Sequence, residues 1–292
     1  MPSPRVTVII PTYNWSTVLP YAINSVLAQT MRDFELIVVG DACTDDSEQV
    51  VAAIKDPRVR WINLAVNTGH QSGPNNRGLQ EARGEFIAYL GHDDLWLGHH
   101  LQCATDTLDR TGAGVAHSLL MNISPGEEIG MPVLPIAEVG SAPSCTVHRR
   151  SVTEKIGGWR DYRRLDIPPE SDLFQRAQAA GFEAVFVPRL TAIKFPALTR
   201  KNVYRDRPNR EQAVWLDRIR SDPDFEPTYL ARMIMTDQAV RTMPARKLVR
   251  ILAQEFWARL AWRLTRRSGH RAIFWKVKGA GIELQKKYKG IK

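Results

Sequence analysis

Apolar positions in the first half of the chain follow two alternating rhythms. Short, continuous runs rich in Val and Ile occupy 6–14, 34–40, 58–64 and 85–90, the length and composition expected of buried strands. Between them the spacing becomes helical. Leu19, Ile23, Val26 and Leu27 share one face of a helix predicted over 16–30, with Ser16 as its N-cap. A second helix is predicted over 46–55, and 72–84 reads as a loop passing into a third. A helix over about 98–110 and a strand over 114–123 continue the alternation. Strands alternating with helices imply an α/β domain with a mostly parallel sheet and right-handed crossovers.

The rhythm breaks at 124–145, a Pro- and Gly-rich stretch better suited to a hairpin or an acceptor-side loop. Residues 145–159 then read as a strand, a short helix and a tight Gly-Gly turn. A helix over 168–182 starts after two prolines, with Glu170 and Asp172 in its first turn and Gly181 at its end. A last strand covers 183–190. No internal repeat is evident.

Composition adds two constraints. Cys43, Cys103 and Cys145 are too few and too scattered for a disulfide framework, and none forms a Cys-x-x-Cys pair, which points to a reducing, cytoplasmic setting. Neither a signal-peptide core nor a run of about 18 apolar residues occurs, so a membrane-spanning chain is not expected. The net charge of +9 is unevenly spread. From Arg241 onward there are 15 Lys and Arg against 2 acids, while the first 240 residues carry 25 basic and 29 acidic side chains. The positive tail is therefore read as a separate element, 201–292, appended to a domain at 1–200 whose halves divide near 110.

Chemistry concentrates at strand ends. "YLGHDDLW" runs from a predicted strand straight into Asp93 and Asp94, and Asp41 and the Thr12-Tyr13 pair also follow strands. In open α/β sheets ligands bind along that edge. Two adjacent acids repel one another unless a cation or solvent intervenes, so the pair reads either as a metal and phosphate site or as a solvated acidic turn. His92, His99 and His100 offer no tetrahedral set for zinc.

Five segments in register, "VTVIIPTYN", "DFELIVVGDACTDDS", "ARGEFIAYLGHDD", "HRRSV" and "PPESDLFQRA", resemble the family-2 glycosyltransferases of the GT-A fold, over roughly residues 4 to 195. The detail is most similar to inverting, metal-dependent members. The resemblance implies a nucleotide-diphosphate sugar donor, UDP- or dTDP-linked by preference, and a glycan, glycolipid or glycoprotein acceptor. It implies that Pro11, Thr12 and Tyr13 pack on the base and ribose, and that Asp41 accepts the ring N–H. Asn76 joins the nucleotide-binding set. By the same resemblance Asp93 reaches the ribose, Asp94 holds Mn²⁺ or Mg²⁺, and Glu170 is the catalytic base with Asp172 as its rival.

The roles are chemically sound. A divalent ion stabilises charge that builds on a diphosphate leaving group, and a carboxylate opposite that group takes the acceptor proton. The sequence also departs from the family pattern. Gly40 and Gly91 stand where many members have acids, and "PNN" at 74–76 lacks a common arginine. "IKFPA" at 193–197 lacks a histidine that many relatives use on the metal. His70, Arg77 or Lys194 would then meet the diphosphate, and Lys194 could stand in as a fixed positive charge. His148 reads as a structural histidine.

In the tail, Leu248, Leu252, Phe256, Leu260 and Leu264 repeat every four residues among arginines, a basic amphipathic helix. It would pack on the catalytic domain, lie on an anionic membrane surface, or pair two copies through Trp257, Trp262 and Trp275. No nucleic-acid motif accompanies the charge. A non-catalytic nucleotide-binding relative, or an assembly partner working through this tail, is the alternative to an enzyme.

Overall fold

The structure, a computed structural model, describes residues 3–123, 125, 131–133, 142–197, 200–232 and 280–290. Its first half follows the apolar runs. β1 (Val6–Thr12) and β2 (Phe34–Gly40) are buried at all seven positions, as continuous Val/Ile runs require when helices cover both faces. β1 lies between β2 and β4 (Phe86–Tyr89), parallel to both, with Val6 opposite Phe34 on one side and Phe86 on the other. β3 (Val59–Asn63) extends the parallel set beyond β2.

Helices α1 (Leu19–Leu27), α2 (Ser47–Ala52), α3 (Ser72–Glu81) and α4 (His100–Thr111) occupy the intervals. On one face Val6, Val8 and Ile10 pack with Leu19, Ile23 and Val26 of α1 and Leu101 and Leu108 of α4. On the other, Ile9, Ile37, Ile87 and Tyr89 pack with Trp159 and Leu173.

The second half of the sheet is mixed. β8 (Thr146–Arg149) inserts antiparallel between β4 and β6 (Val115–Asn122), and β9 (Ala184–Lys194) runs parallel to β6 on its far side. A two-residue strand, β5 (Leu95–Trp96), pairs antiparallel with the end of β9, and β7 (Met131–Val133) pairs with β6. The resulting order is β3-β2-β1-β4-β8-β6-β9-β5. β6 and β9 change register between Ser118 and Leu120, so β9 reaches Lys194 opposite Asn122. Pro188 lies in that irregular stretch, where a strand tolerates a missing donor.

Two sequence expectations change here. Ser16 does not cap α1. Val18 is the N-cap residue, Pro20 sits in the first turn, and the Ser16 N–H donates instead to Asp45 Oδ2 at 3.0 Å. The segment expected to begin as a loop at 72 is helical from Ser72, because Pro74 falls in the first turn, where its missing N–H costs no intrahelical bond.

After α5 (Arg150–Ile156), the Gly-Gly turn bends as expected, with Gly157 at φ 76°. Gly158 lets α3 approach closely: a Cβ there would lie 2.2 Å from Asn76 Oδ1. Asn76 uses the space to clamp the turn, donating Nδ2–H to the Trp159 carbonyl and accepting the Trp159 N–H, both at 2.7 Å. α6 (Pro169–Ala179) follows. Beyond β9, α7 (Val203–Asp206) and α8 (Arg210–Ser221) belong to the same body. Trp215, Leu216, Phe225 and Tyr229 share a core cluster with Leu95, Met121 and Ile193. A C-terminal helix (Ala280–Lys289) returns to the domain, its Tyr288 carbonyl accepting the Asn202 N–H at 3.1 Å. The predicted amphipathic stripe from Leu248 to Leu264 and Trp257, Trp262 and Trp275 lie outside the described residues.

Two stability predictions follow from buried polar contacts. Asn76→Ala strands the N–H and C=O of Trp159 and should cost about 2 kcal/mol, read as a lower melting temperature. Glu35 on β2, 3% exposed, accepts from Thr7, from the Arg83 backbone and guanidinium, and from Arg60. Burial raises its pKa, but these hydrogen bonds outweigh burial and hold it below the ordinary value of 4.5. Its stabilisation is therefore complete above the unfolded value and is lost as pH falls through the folded one. Glu35→Gln should destabilise the protein by about 1–3 kcal/mol at neutral pH. Urea melts should show that difference shrinking once the pH drops below the ordinary glutamate value.

Candidate active site

The carboxyl ends of β1, β2 and β4 open on a cavity of about 310 Å³. Pro11, Thr12 and Tyr13 enter its lining at the end of β1, Asp41 follows β2, and Asp93 follows β4. Across from them stand Glu170 from the first turn of α6 and Lys194 from the last position of β9. The C-terminal helix adds Ile282, Lys286 and Lys289. Eight residues expected at the site from sequence thus line one space, His70 among them.

Asp41 is 4% exposed and already works as an anchor. Its Oδ1 accepts the Thr68 N–H and hydroxyl at 2.8 Å each, and Oδ2 accepts the Gly69 N–H at 3.0 Å. A carboxylate has about four acceptor positions, so one is left for a ligand donor. His70 bonds to Ser72 Oγ through Nδ1 at 2.9 Å. Burial, with the ammonium groups of Lys289 and Lys286 adding to it, lowers its pKa to about 3 and keeps the ring neutral.

The two adjacent acids separate into different environments. Asp93 faces the cavity, and burial, then the charge of Asp94, raises its pKa against the opposing pull of Lys194. Asp94 turns inward and is fully buried. The cause is strand register: Leu95 pairs with Ile193, so Asp94 and Lys194, one step further on antiparallel strands, face each other. Lys194 Nζ donates to Asp94 Oδ2 at 2.9 Å, Ser144 donates to the same oxygen at 2.5 Å, and the Phe195 N–H reaches Oδ1 at 3.2 Å. Gly91 makes the fold of this turn possible, since a Cβ would lie 2.8 Å from Asp94 Oδ2 and 3.2 Å from Asp93 Oδ1. At Gly40 a side chain would meet Asn63 and the Trp61 ring, which fill the space an acid would need.

A divalent ion asks for several oxygen ligands with positions left open for phosphate. At Asp94 both oxygens are taken, one by an ammonium group. Among the described residues no group of three or more His, Cys, Asp or Glu side chains could hold a metal ion. The residues present do not fit a divalent ion held by Asp94.

The acids of α6 also separate. Glu170 lines the cavity, and burial raises its pKa, with Lys194 and Lys289 opposing. Asp172 is held away from it by Arg176 at 2.8 Å and Arg160 at 3.3 Å. Asn76 is spent on the Trp159 clamp, and Arg77 pairs with Glu81 at 2.7 Å on the outer side of α3. Neither lines the cavity. His148 is structural, its ring bonded to the Tyr89 hydroxyl at 3.2 Å and the Arg149 carbonyl at 2.8 Å.

Sequence reading missed several participants. His92 bonds to Thr12 Oγ1 at 2.8 Å and to Tyr204 at 3.2 Å, with Trp15 edge-on to its ring, and so fixes the loop after β1. Ser144 lies at the end of a Pro- and Gly-rich stretch with no readable pattern. Lys286 and Lys289 had a signal, the basic excess of the tail, but nothing in the spacing placed them at this cavity.

Comparison with known proteins agrees with this architecture. Residues 7–157 match the family model described as glycosyl transferase family 2. Over 119 residues the chain is 34% identical to the GalNAc(5)-diNAcBac-PP-undecaprenol beta-1,3-glucosyltransferase of Campylobacter jejuni, a match covering 39% of this chain and 37% of that one. The chain spans about a third of the length of the curated relatives it matches. Several solved structures share its fold. S. aureus TarS 1-349 in complex with UDP-GlcNAc aligns at TM-score 0.58 and 17% identity, covering 83% of this chain and 77% of that one. The mannosyltransferase PcManGT from Pyrobaculum calidifontis, in complex with GDP-Man and Mn²⁺, aligns at TM-score 0.56 and 19% identity, covering 100% and 88%. With a family match over half its length and a sheet of this topology, the chain belongs to glycosyltransferase family 2 and has the GT-A fold.

Proposed function

We propose that the chain moves a sugar, with inversion, from a nucleotide-diphosphate sugar to a hydroxyl of a glycan carried on a lipid diphosphate. The observation that carries this reading is the placement of Glu170 in the same cavity as Tyr13, Asp41, Asp93 and Lys194. Pro11 and Tyr13 offer a surface for the base, and the remaining acceptor position of Asp41 suits the ring N–H of uracil or thymine. Asp93 is the acid left facing the ligand, positioned to accept from a ribose hydroxyl. Lys194, Lys286 and Lys289 supply the positive charge that a diphosphate needs.

Glu170 is the base in this reading. It takes the proton of the acceptor hydroxyl as that oxygen attacks the anomeric carbon, and attack opposite the leaving group by a single nucleophile inverts the configuration. Asp172, bound by two arginines, is unsuited to the role. The acceptor class is supported by the relative from Campylobacter jejuni, whose name gives an undecaprenol diphosphate-linked glycan. Such an acceptor lies in a membrane, and the 15 Lys and Arg from Arg241 onward suit the anionic headgroups of its cytoplasmic face. Among the described residues no helix is long and apolar enough to cross a membrane.

Calorimetry with UDP, dTDP and GDP, paired with nucleotide release from the matching nucleotide sugar in the presence of a polyprenol diphosphate-linked glycan, tests the proposal. One nucleotide should bind, and Glu170→Gln should keep that binding while turnover falls by about 10²–10⁴. Because burial raises the Glu170 pKa, kcat should drop as pH falls through a value above the ordinary 4.5, where the base becomes protonated. Full turnover in Glu170→Gln, with loss in Asp172→Asn instead, would sink the assignment.

A further inference from the structure

Asp94 has the chemistry of a metal ligand and none of the accessibility. Its carboxylate is fully buried and bonded at both oxygens, by Lys194, Ser144 and the Phe195 N–H. A divalent ion could reach it only by displacing an ammonium group 2.9 Å away, against direct charge repulsion. Lys194 itself differs from its partner. A third of its side chain, 33%, remains open, and it lines the cavity together with Asp93 and Glu170. An ammonium has three donors, and Asp94 takes one. A second ammonium, Lys289 of the C-terminal helix, lines the same cavity.

We propose that Lys194, held in place by Asp94 through the β5–β9 register, neutralises the donor diphosphate in place of a divalent cation, so that nucleotide binding and departure are metal-independent. The inference rests on the donor reading above. In the transfer, a bond forms between the acceptor oxygen and the anomeric carbon as the bond from that carbon to the diphosphate oxygen breaks. The electron pair stays on the phosphate oxygen, whose new charge the Lys194 ammonium offsets, and the acceptor proton passes to Glu170.

The test is calorimetric titration of the full chain with UDP, dTDP and GDP, in EDTA and again in excess Mn²⁺. The expected result is one nucleotide bound equally well in both. Lys194→Met should weaken it by about 10–100-fold, Lys194→Arg should retain EDTA-insensitive binding, and Lys194→His should bind weakly in EDTA and recover with Mn²⁺. Since Lys194→Met leaves Asp94 buried and unpaired, the Lys194→Met/Asp94→Asn double variant, checked for wild-type melting, removes both charges and should show the same loss. Wild-type binding that appears only with Mn²⁺ would overturn this inference and leave the donor reading intact, as would unchanged affinity in a folded Lys194→Met. Absence of binding to a folded wild type under both conditions would overturn both.

Discussion

The site depends on a single ion pair, buried at its acidic end and open to the cavity at its basic one. Asp94 and Lys194 come from strands a hundred residues apart, and their contact ties β5 to the end of β9 at the rim of the sheet. Removing either partner leaves the other charged in a poorly solvated place, which is costly, so neither residue can drift independently. Ser144 joins the same carboxylate and thereby ties the stretch before β8 into the rim. The turn at Gly91 completes the arrangement by letting consecutive acids point to opposite environments, one to the interior and one to the cavity. Charge in the cavity is consequently organised before any ligand arrives.

The pair also separates positioning from chemistry. In the proposed reading Asp94 orients, Lys194 presents charge, and Asp93 and Glu170 remain for hydrogen bonding and proton transfer. Around them further hydrogen bonds hold the rim: His92 between Thr12 and Tyr204, and Asp41 against the 67–69 loop. Each uses buried donors and acceptors that are matched within the domain, which limits reorganisation when a ligand binds. The C-terminal helix completes the wall. Tyr162 hydrogen-bonds both Glu283 and Lys286, so the helix that brings two lysines to the cavity is fixed by the segment just before α6.

Legibility in the sequence tracked how local each cause was. β1, β2 and β4 were readable because burial on both faces leaves continuous Val and Ile, and the rim residues Tyr13, Asp41 and Asp93 follow from where those runs stop. β5 was not, since two residues carry no periodicity and only β9 defines it. The antiparallel entry of β8 between β4 and β6 breaks the simple alternation for the same reason: pairing over long separations leaves no local mark. Asn76 and Arg77 sit on α3 near the rim in sequence, but helical rotation turns them to the Trp159 turn and to Glu81. Asp172 did carry a clue, Arg176 four residues on, the spacing at which helix side chains pair. Nothing comparable distinguished Asp94 from Asp93, because the difference comes from a strand that the chain reaches a hundred residues later.

The irregularity between β6 and β9 acts as a length gauge. β9 uses three more residues than β6 between the pairs Val115–Ala184 and Leu120–Ala192, and only with that surplus does Lys194 finish opposite Asn122 and beside Asp94. One residue fewer or more would offer Phe195 or Ile193 to the buried carboxylate. An insertion or deletion near Pro188 would thus leave every rim residue unchanged in identity while exchanging a cation for a hydrocarbon. What natural variation must preserve in this strand is the count of residues as much as their kind.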